Sequence, residues 1–263
     1  MITTSVIIPA RNEQYLERTI DSLLNNARGE IEVLVVLDGY WPHITIDDKR
    51  VKYIHKGKAE GMRPAINSAA AIAQGEYLLK TDAHCLFDQG YDVKLAADME
   101  DNWIVVPRRH RLDAENWCID NGGREPVDYM YLSSDLHGKI WNRPDLADKM
   151  IDDLMSAQGS CYFIKRDYFY ELELLDDVSY GNFWSEFQEV GLKCWLSGGA
   201  VKVNKRTYYA HLHKKDRGYA MGGSQKQIAS AQVEKWREFK AAWPKQTLPL
   251  ESLIQKFGPV PTW

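Results

Sequence analysis

The sequence predicts a single α/β domain built on a doubly wound, mostly parallel sheet. Three observations carry that prediction. Short β-rich runs alternate with helical patterns over residues 1–104, the spacing that crossover helices between parallel strands require. Residues 31–37 are almost continuously apolar, as a strand covered on both faces must be. Polar clusters fall where the strands run out, at residues 10–13, 38–40 and 82–84. Sheets of this type keep their ligand sites beyond those carboxyl ends. A chain of 263 residues is long for one average domain but short for two.

The elements follow in order. Residues 4–8 read as the first strand, turning at Pro9-Ala10-Arg11-Asn12-Glu13. Leu16, Ile20, Leu23 and Leu24 then recur at helical spacing through residues 15–25. A short strand spans 51–55. The Ala-rich stretch 64–74 is predicted helical, with Gly75 as its C-cap. A strand over 76–81 and a helix over 91–100 complete the regular half. From 105 to 155 the alternation lapses into charged residues, Trp and Gly, read as an excursion over the site. Pattern returns with a strand at 160–165, a helix at 184–196 ended by Gly198-Gly199, and a strand at 200–204. Residues 214–225, which include Gly218, Gly222 and Gly223, read as a mobile loop. Residues 227–243 read as a terminal helix, and 244–263 as a proline-containing tail.

Composition narrows the function classes. Apolar residues make up 44% and charged residues 27%, which excludes a disordered or collagen-like chain. The net charge of −4 excludes a surface that is basic throughout, although Arg108-Arg109-His110-Arg111 forms a local basic run. No apolar stretch is long enough to span a membrane. The four cysteines contain no C-x-x-C pair, which argues against a cysteine zinc site and for a reducing, cytoplasmic address. Asp82 and His84 lie two residues apart at a strand end, where alternation lets both side chains face one ligand. A carboxylate with an imidazole suits a borderline divalent ion such as Mn²⁺, which tolerates nitrogen better than Mg²⁺ does. Ala210-His211-Leu212-His213 could supply a third ligand.

The ordered motifs also carry a resemblance. Residues 5–13, Val35-Val36-Leu37-Asp38-Gly39 and Gly75 through His84 look like the nucleotide-sugar half of GT-A glycosyltransferases of the family-2-like group. Asp82-Ala83-His84-Cys85 is similar to the D-x-H motif of polypeptide N-acetylgalactosaminyltransferases. Gly61-Met62-Arg63-Pro64-Ala65, residues 157–169, the helix running from Trp184 to Gly199, and Tyr209-Ala210-His211 resemble later segments of that branch in the same order. The resemblance implies a GT-A domain over residues 1–215, with a nucleotide-sugar half (1–104) and an acceptor half (105–215), followed by the loop, helix and tail of 216–263.

It also implies roles. Pro9, Ala10, Arg11 and Glu13 would line the uracil and ribose pocket, and Asp38 would hydrogen-bond the base. Arg63 would approach the donor near its phosphates or base. Asp82, His84 and His211 would hold Mn²⁺, or Mg²⁺, across the diphosphate. Glu186 would face the sugar or acceptor, with Glu189 supporting it. Independently of the resemblance, the basic, glycine-punctuated loop that holds Lys214, Arg217 and Tyr219 could close over the diphosphate as a lid. Ser185 and Phe187 depart from the branch's Gly and Asn, on the helix that reads the sugar and acceptor. The expected activity is transfer from a UDP-sugar to a hydroxyl of a glycan, protein or modified DNA base, with retention of configuration. Two rivals are a phage-type enzyme acting on hydroxymethylpyrimidine DNA, with phosphate contacts from residues 108–111, and a nucleotide-sugar binding module without turnover. A nucleotidyltransferase would show a glycine-rich basic loop where Pro9-Ala10-Arg11-Asn12-Glu13 stands.

Overall fold

In the computed structural model, residues 3–43, 45–120, 122–214, 219 and 223–263 are described. Strand β1 (Thr4–Ala10), helix α1 (Leu16–Asn26), strands β2 (Ile31–Asp38) and β3 (Val51–Lys56), helix α2 (Met62–Ala70) and strand β4 (Tyr77–Thr81) alternate along the chain. Next come β5 (Cys85–Phe87), α3 (Tyr91–Ala96), the long β6 (Trp103–Asp113) and β7 (Cys118–Ile119). A hairpin of β8 (Met130–Leu132) and β9 (Gly138–Ile140) follows. The remainder holds β10 (Ile151–Asp153), β11 (Cys161–Lys165), α4 (Arg166–Glu171), α5 (Glu186–Leu196), β12 (Ala200–His211), α6 (Gly223–Glu234) and α7 (Leu250–Phe257).

The main sheet has the order β10-β12-β6-β11-β4-β1-β2-β3, with β5 joined to β12 and β7 to β6. Its β3-β2-β1-β4 portion is parallel throughout, and β6 and β12 are also parallel. Strand β11 runs antiparallel between β4 and β6 and joins these two portions. Successive residues of β1 and β2 serve opposite faces. Val6, Ile8, Val33 and Val35 pack with Leu16, Ile20 and Leu23 of α1, whereas Ile7, Leu34 and Val36 pack with Ala65, Ile66 and Ala69 of α2. Burial on both sides explains the unbroken apolar run of β2.

Several expectations need correction. The stretch from residue 105 is not an excursion at its start, because Trp103–Asp113 is an eleven-residue strand inside the sheet. Its charges look irregular in sequence because their partners lie on segments distant along the chain. Gly75 is not a helix cap, since α2 ends at Ala70. Instead its N–H donates to Ser5 Oγ at 2.8 Å, and a Cβ there would lie 2.5 Å from the Ser5 backbone nitrogen. Strand β12 continues to His211, well past residue 204, across an irregularity in which residues 205–207 have no partner on β6. Residues 223–225 begin helix α6. That helix stops at Glu234 and not at 243, and the supposed tail contains α7. Trp236, Trp243, Leu250 and Leu253 all enter the larger core cluster.

One ionic network fixes α2 to α5 inside that core. Arg63 donates to the Glu189 carboxylate and, at 2.9 Å, to the Trp184 carbonyl. Lys193 Nζ donates to Glu189 at 2.7 Å and to the Glu173 carbonyl at 2.5 Å. The Asp176 N–H also donates to Glu189, at 3.0 Å. Removing one member of a buried ionic set leaves uncompensated charge. Glu189→Ala should therefore lower the unfolding free energy by about 3–5 kcal/mol, read from urea denaturation. A change within about 0.5 kcal/mol, as at an ordinary surface site, would contradict this account.

Candidate active site

The strand ends open onto a cavity of about 800 Å³. Pro9, Ala10, Arg11 and Glu13 line it from the end of β1, Asp38 from β2, and Asp82 and His84 from the turn after β4. Gly159 and Ser160, just before β11, contribute the floor, and Glu186 enters from the first turn of α5. His211, His213, Lys214 and Tyr219 line a further wall. Of the residues the sequence singled out, the cavity brings these together. Arg63 and Glu189 lie behind it, each fully buried and engaged with the other. Glu186 and Glu189 share the first turn of α5, but Glu189 faces the core and Arg63 instead of supporting Glu186. Arg217 lies outside the described residues.

Asp82, His84 and His211 each offer a ligand atom, and these atoms lie within 4.8 Å of one another. His211 Nε2 is 3.2 Å from Asp82 Oδ2, and His84 Nε2 is 3.8 Å from the same oxygen. His84 Nδ1 lies 3.2 Å from Glu13 Oε2. With Nδ1–H donated to that carboxylate, Nε2 keeps its lone pair toward Asp82, as an outer carboxylate arranges for a metal-binding imidazole. Burial, relieved in part by Asp82, holds the His211 imidazole down at about 4. It is therefore neutral near pH 7, the form that binds metals. Its Nδ1 is buried with no hydrogen-bond partner. One carboxylate oxygen and two imidazoles fit a borderline divalent cation.

Beneath this group lies Lys80, which the sequence reading passed over. Its ammonium donates to Asp82 Oδ1 at 2.8 Å, to the Gly159 carbonyl at 2.6 Å and to Glu186 Oε2 at 3.2 Å. Burial works against the charge on Lys80, but Asp82 and Glu186 outweigh it and raise the group above its ordinary value. Burial alone would raise Asp82; Lys80, His211 and His84 instead draw it well below the usual carboxylate range. Glu186 moves upward, because burial and the nearby Asp82 charge prevail over Lys80 and Arg63. Its Oε1 is buried without a hydrogen-bond partner. The available signal was a lysine two residues before Asp82 in an otherwise apolar strand, since that spacing places both on one side.

The β1–β2 end of the cavity is equally organised. Asp38 accepts from the N–H groups of Glu60 at 2.7 Å and Gly61 at 3.0 Å, which fixes the entry to α2. Arg11 stacks over the Tyr219 ring at 4.4 Å. Lys214 Nζ reaches Glu13 Oε1 at 2.7 Å. Burial would raise the Glu13 carboxyl, but His84 and Lys214 together hold it below its ordinary value. The basic run 108–111 is largely neutralised in place, with Arg108 paired to Asp128 and Arg111 to Asp120. No helix among the described residues is long and apolar enough to cross a membrane.

Known proteins share this architecture. Polypeptide N-acetylgalactosaminyltransferase 11 of Xenopus tropicalis is 25% identical over 251 residues, 86% of this chain and 40% of its own length. Polypeptide N-acetylgalactosaminyltransferase 3 of Drosophila melanogaster is 23% identical over 270 residues, 90% of this chain and 40% of its own. The chain thus spans well under half the length of these relatives. A crystal structure of GalNAc-T7 with UDP, GalNAc and Mn²⁺ matches with a TM-score of 0.76 at 22% identity, over 97% of this chain and 54% of that one. S. aureus TarS 1-349 in complex with UDP-GlcNAc matches with a TM-score of 0.56 at 14% identity, over 86% of this chain and 64% of that one. These structures share the GT-A fold expected from the motifs. The glycosyl transferase family 2 profile matches residues 5–173, from β1 through α4, and the chain belongs to that family.

Proposed function

We propose that the chain transfers a sugar from a UDP-sugar to a hydroxyl acceptor, with retention of anomeric configuration and with Mn²⁺ preferred over Mg²⁺. The observation that carries this reading is the convergence of Asp82, His84 and His211 beside Glu186 in one cleft. Asp82, His84 and His211 would hold the cation, and two imidazoles among three ligands favour Mn²⁺. When bound, the metal supplies positive charge where the departing diphosphate gains negative charge. The remaining work falls to the chain itself. Glu13 orients His84. Pro9, Ala10 and Arg11 form the floor and side of the uridine pocket. Asp38, already capping two N–H groups, has lone pairs left for a pyrimidine N–H. Lys214 and Tyr219 close one side and limit water, which strengthens the electrostatic interactions inside.

Glu186 would accept a hydroxyl of the donor sugar or acceptor through Oε1 while Lys80 holds Oε2. A carboxylate anchored this way suits orientation of a sugar better than removal of a proton. That supports the retaining outcome, as does the likeness to the D-x-H branch. The four cysteines are all free thiols, which supports a reducing, cytoplasmic address.

His84→Ala should abolish Mn²⁺-dependent UDP binding in calorimetric titration while the circular dichroism spectrum is kept. Unchanged binding would remove His84 from the metal group. Glu186→Gln should cut kcat by about a hundredfold or more with little change in donor affinity; equal losses in both would refute a sugar-side role. Lys80→Met should cost both Mn²⁺–UDP affinity and turnover, whereas Lys80→Arg should restore part of the affinity. A Lys80→Met enzyme with wild-type kinetics would leave the ammonium without a functional role. Proton NMR of the first product reports its anomeric configuration, and an inverted product rejects retention. Metal-dependent UDP binding with neither hydrolysis nor transfer, across a panel of UDP-sugars and acceptors, would favour a binding module.

A further inference from the structure

Arg109 is the member of the basic run that its neighbours leave unneutralised. Arg108 has Asp128 at 2.7 Å, and Arg111 has Asp120 at 3.1 Å. His110 packs edge-on against Tyr208. The Arg109 side chain is 7% exposed and lines the cavity. Its guanidinium has one hydrogen-bond partner among the described residues, the Met130 sulfur 3.9 Å from Nη2. No carboxylate among those residues lies within ion-pair distance. A thioether is a weak acceptor, whereas a guanidinium offers five N–H donors in a planar fork. The fork thus faces the cavity with no carboxylate of the described residues to compete for it. An anion entering the cavity would find those donors free.

Its neighbours indicate which part of the substrate would bring it. Asp38 and residues 9–13 stand at β2 and β1, and Asp82 follows β4. Strand β6 lies two places beyond β4, on the side away from β1 and β2, with β12 and its His211 next to it. Arg109 pairs with Val127 through its backbone and touches Met130 of β8 with its guanidinium, which sets it on the side of residues 105–215, the half expected to take the acceptor. The β8–β9 hairpin adds His137 and Lys139 to that part of the lining. We propose that Arg109 is an anion-recognition residue on the acceptor side, and that the acceptor carries a phosphate or carboxylate close to the hydroxyl that receives the sugar. This rests on the reading of the chain as a UDP-sugar transferase. One buried arginine whose flanking arginines are already paired fits a single acidic group, not a polyanion track. Its fork suits bidentate binding of either acid.

The test uses matched acceptor pairs that differ in one acid group, with Mn²⁺ and a panel of UDP-sugars and with products read by mass spectrometry. Suitable pairs are hydroxymethyldeoxycytidine and its 5′-monophosphate, and a methyl glucoside and the matching methyl glucuronide. The wild-type chain should favour the acidic member by about tenfold to a hundredfold in kcat/KM. Arg109→Gln should erase that ratio, and Arg109→Lys should keep part of it. If Arg109→Gln does not fold, Arg109→Lys carries the comparison, with a severalfold fall expected. A ratio that survives in the variants, or a wild-type preference for neutral acceptors, overturns the proposal. So does an Arg109→Gln chain that loses UDP affinity as steeply as acceptor affinity, since the arginine would then serve the donor.

A second measurement does not need turnover. Inorganic phosphate and acetate are titrated separately onto the protein with Mn²⁺ and UDP present. Arg109→Gln should weaken the binding of at least one of them tenfold or more, and the stronger of the two names the acid. Equal binding by both proteins overturns the proposal. Arg109-dependent phosphate binding in a chain that neither binds nor turns over any UDP-sugar would instead reject the transferase reading and leave the anion site standing.

Discussion

One buried ammonium holds the candidate site together. Lys80 rises from the penultimate position of β4 and ties three things that would otherwise be independent: the metal-side carboxylate Asp82, the backbone before β11 at Gly159, and the α5 carboxylate Glu186. Two carboxylates packed so closely without a cation would drive one another toward protonation. With Lys80 between them, Asp82 is drawn well below the usual carboxylate range, while Glu186 keeps one oxygen without a hydrogen-bond partner. Such an arrangement is unfavourable to bury unless its charges meet at close range. The close approach of Gly159 is part of that condition, because a Cβ there would overlap the Glu186 carboxylate.

Legibility in the sequence followed the reach of the interactions. The β3-β2-β1-β4 portion was readable because each strand and crossover helix shows its own period, and because turn residues mark the strand ends. Asp82, His84 and His211 were readable as a set through the order of motifs, since nothing in their spacing brings residue 211 back to residue 82. Strand β6 was obscured because Arg108 and Arg111 sit on a strand yet find Asp128 and Asp120 only in the folded chain. Arg63 and Glu189 look like ligand-facing charges in sequence, but their desolvation is compensated by each other and by Lys193. Helix α7 was hidden behind prolines that bound it without interrupting it.

The two departures on α5 also acquire physical meaning. Ser185 stands where the resembling branch has glycine, and its backbone adopts φ +59°, the left-handed region that favours glycine. The serine therefore keeps the geometry at some conformational cost. Phe187, in place of a polar residue, is buried and packs edge-on against Tyr162. That exchange puts an apolar ring, and no polar group, at this point of the cavity lining.

A last consequence concerns the irregularity in β12, where residues 205–207 are extra relative to β6. Because strand side chains alternate, the parity of that inserted triplet decides whether an imidazole or the neighbouring Leu212 arrives beside Asp82. The metal group is thus set by a count made several residues upstream of it. Single-residue insertions or deletions in this stretch, where Lys205 and Thr207 are buried and Arg206 is exposed, would act as frame errors for the chemistry, though no residue of the cleft had been altered.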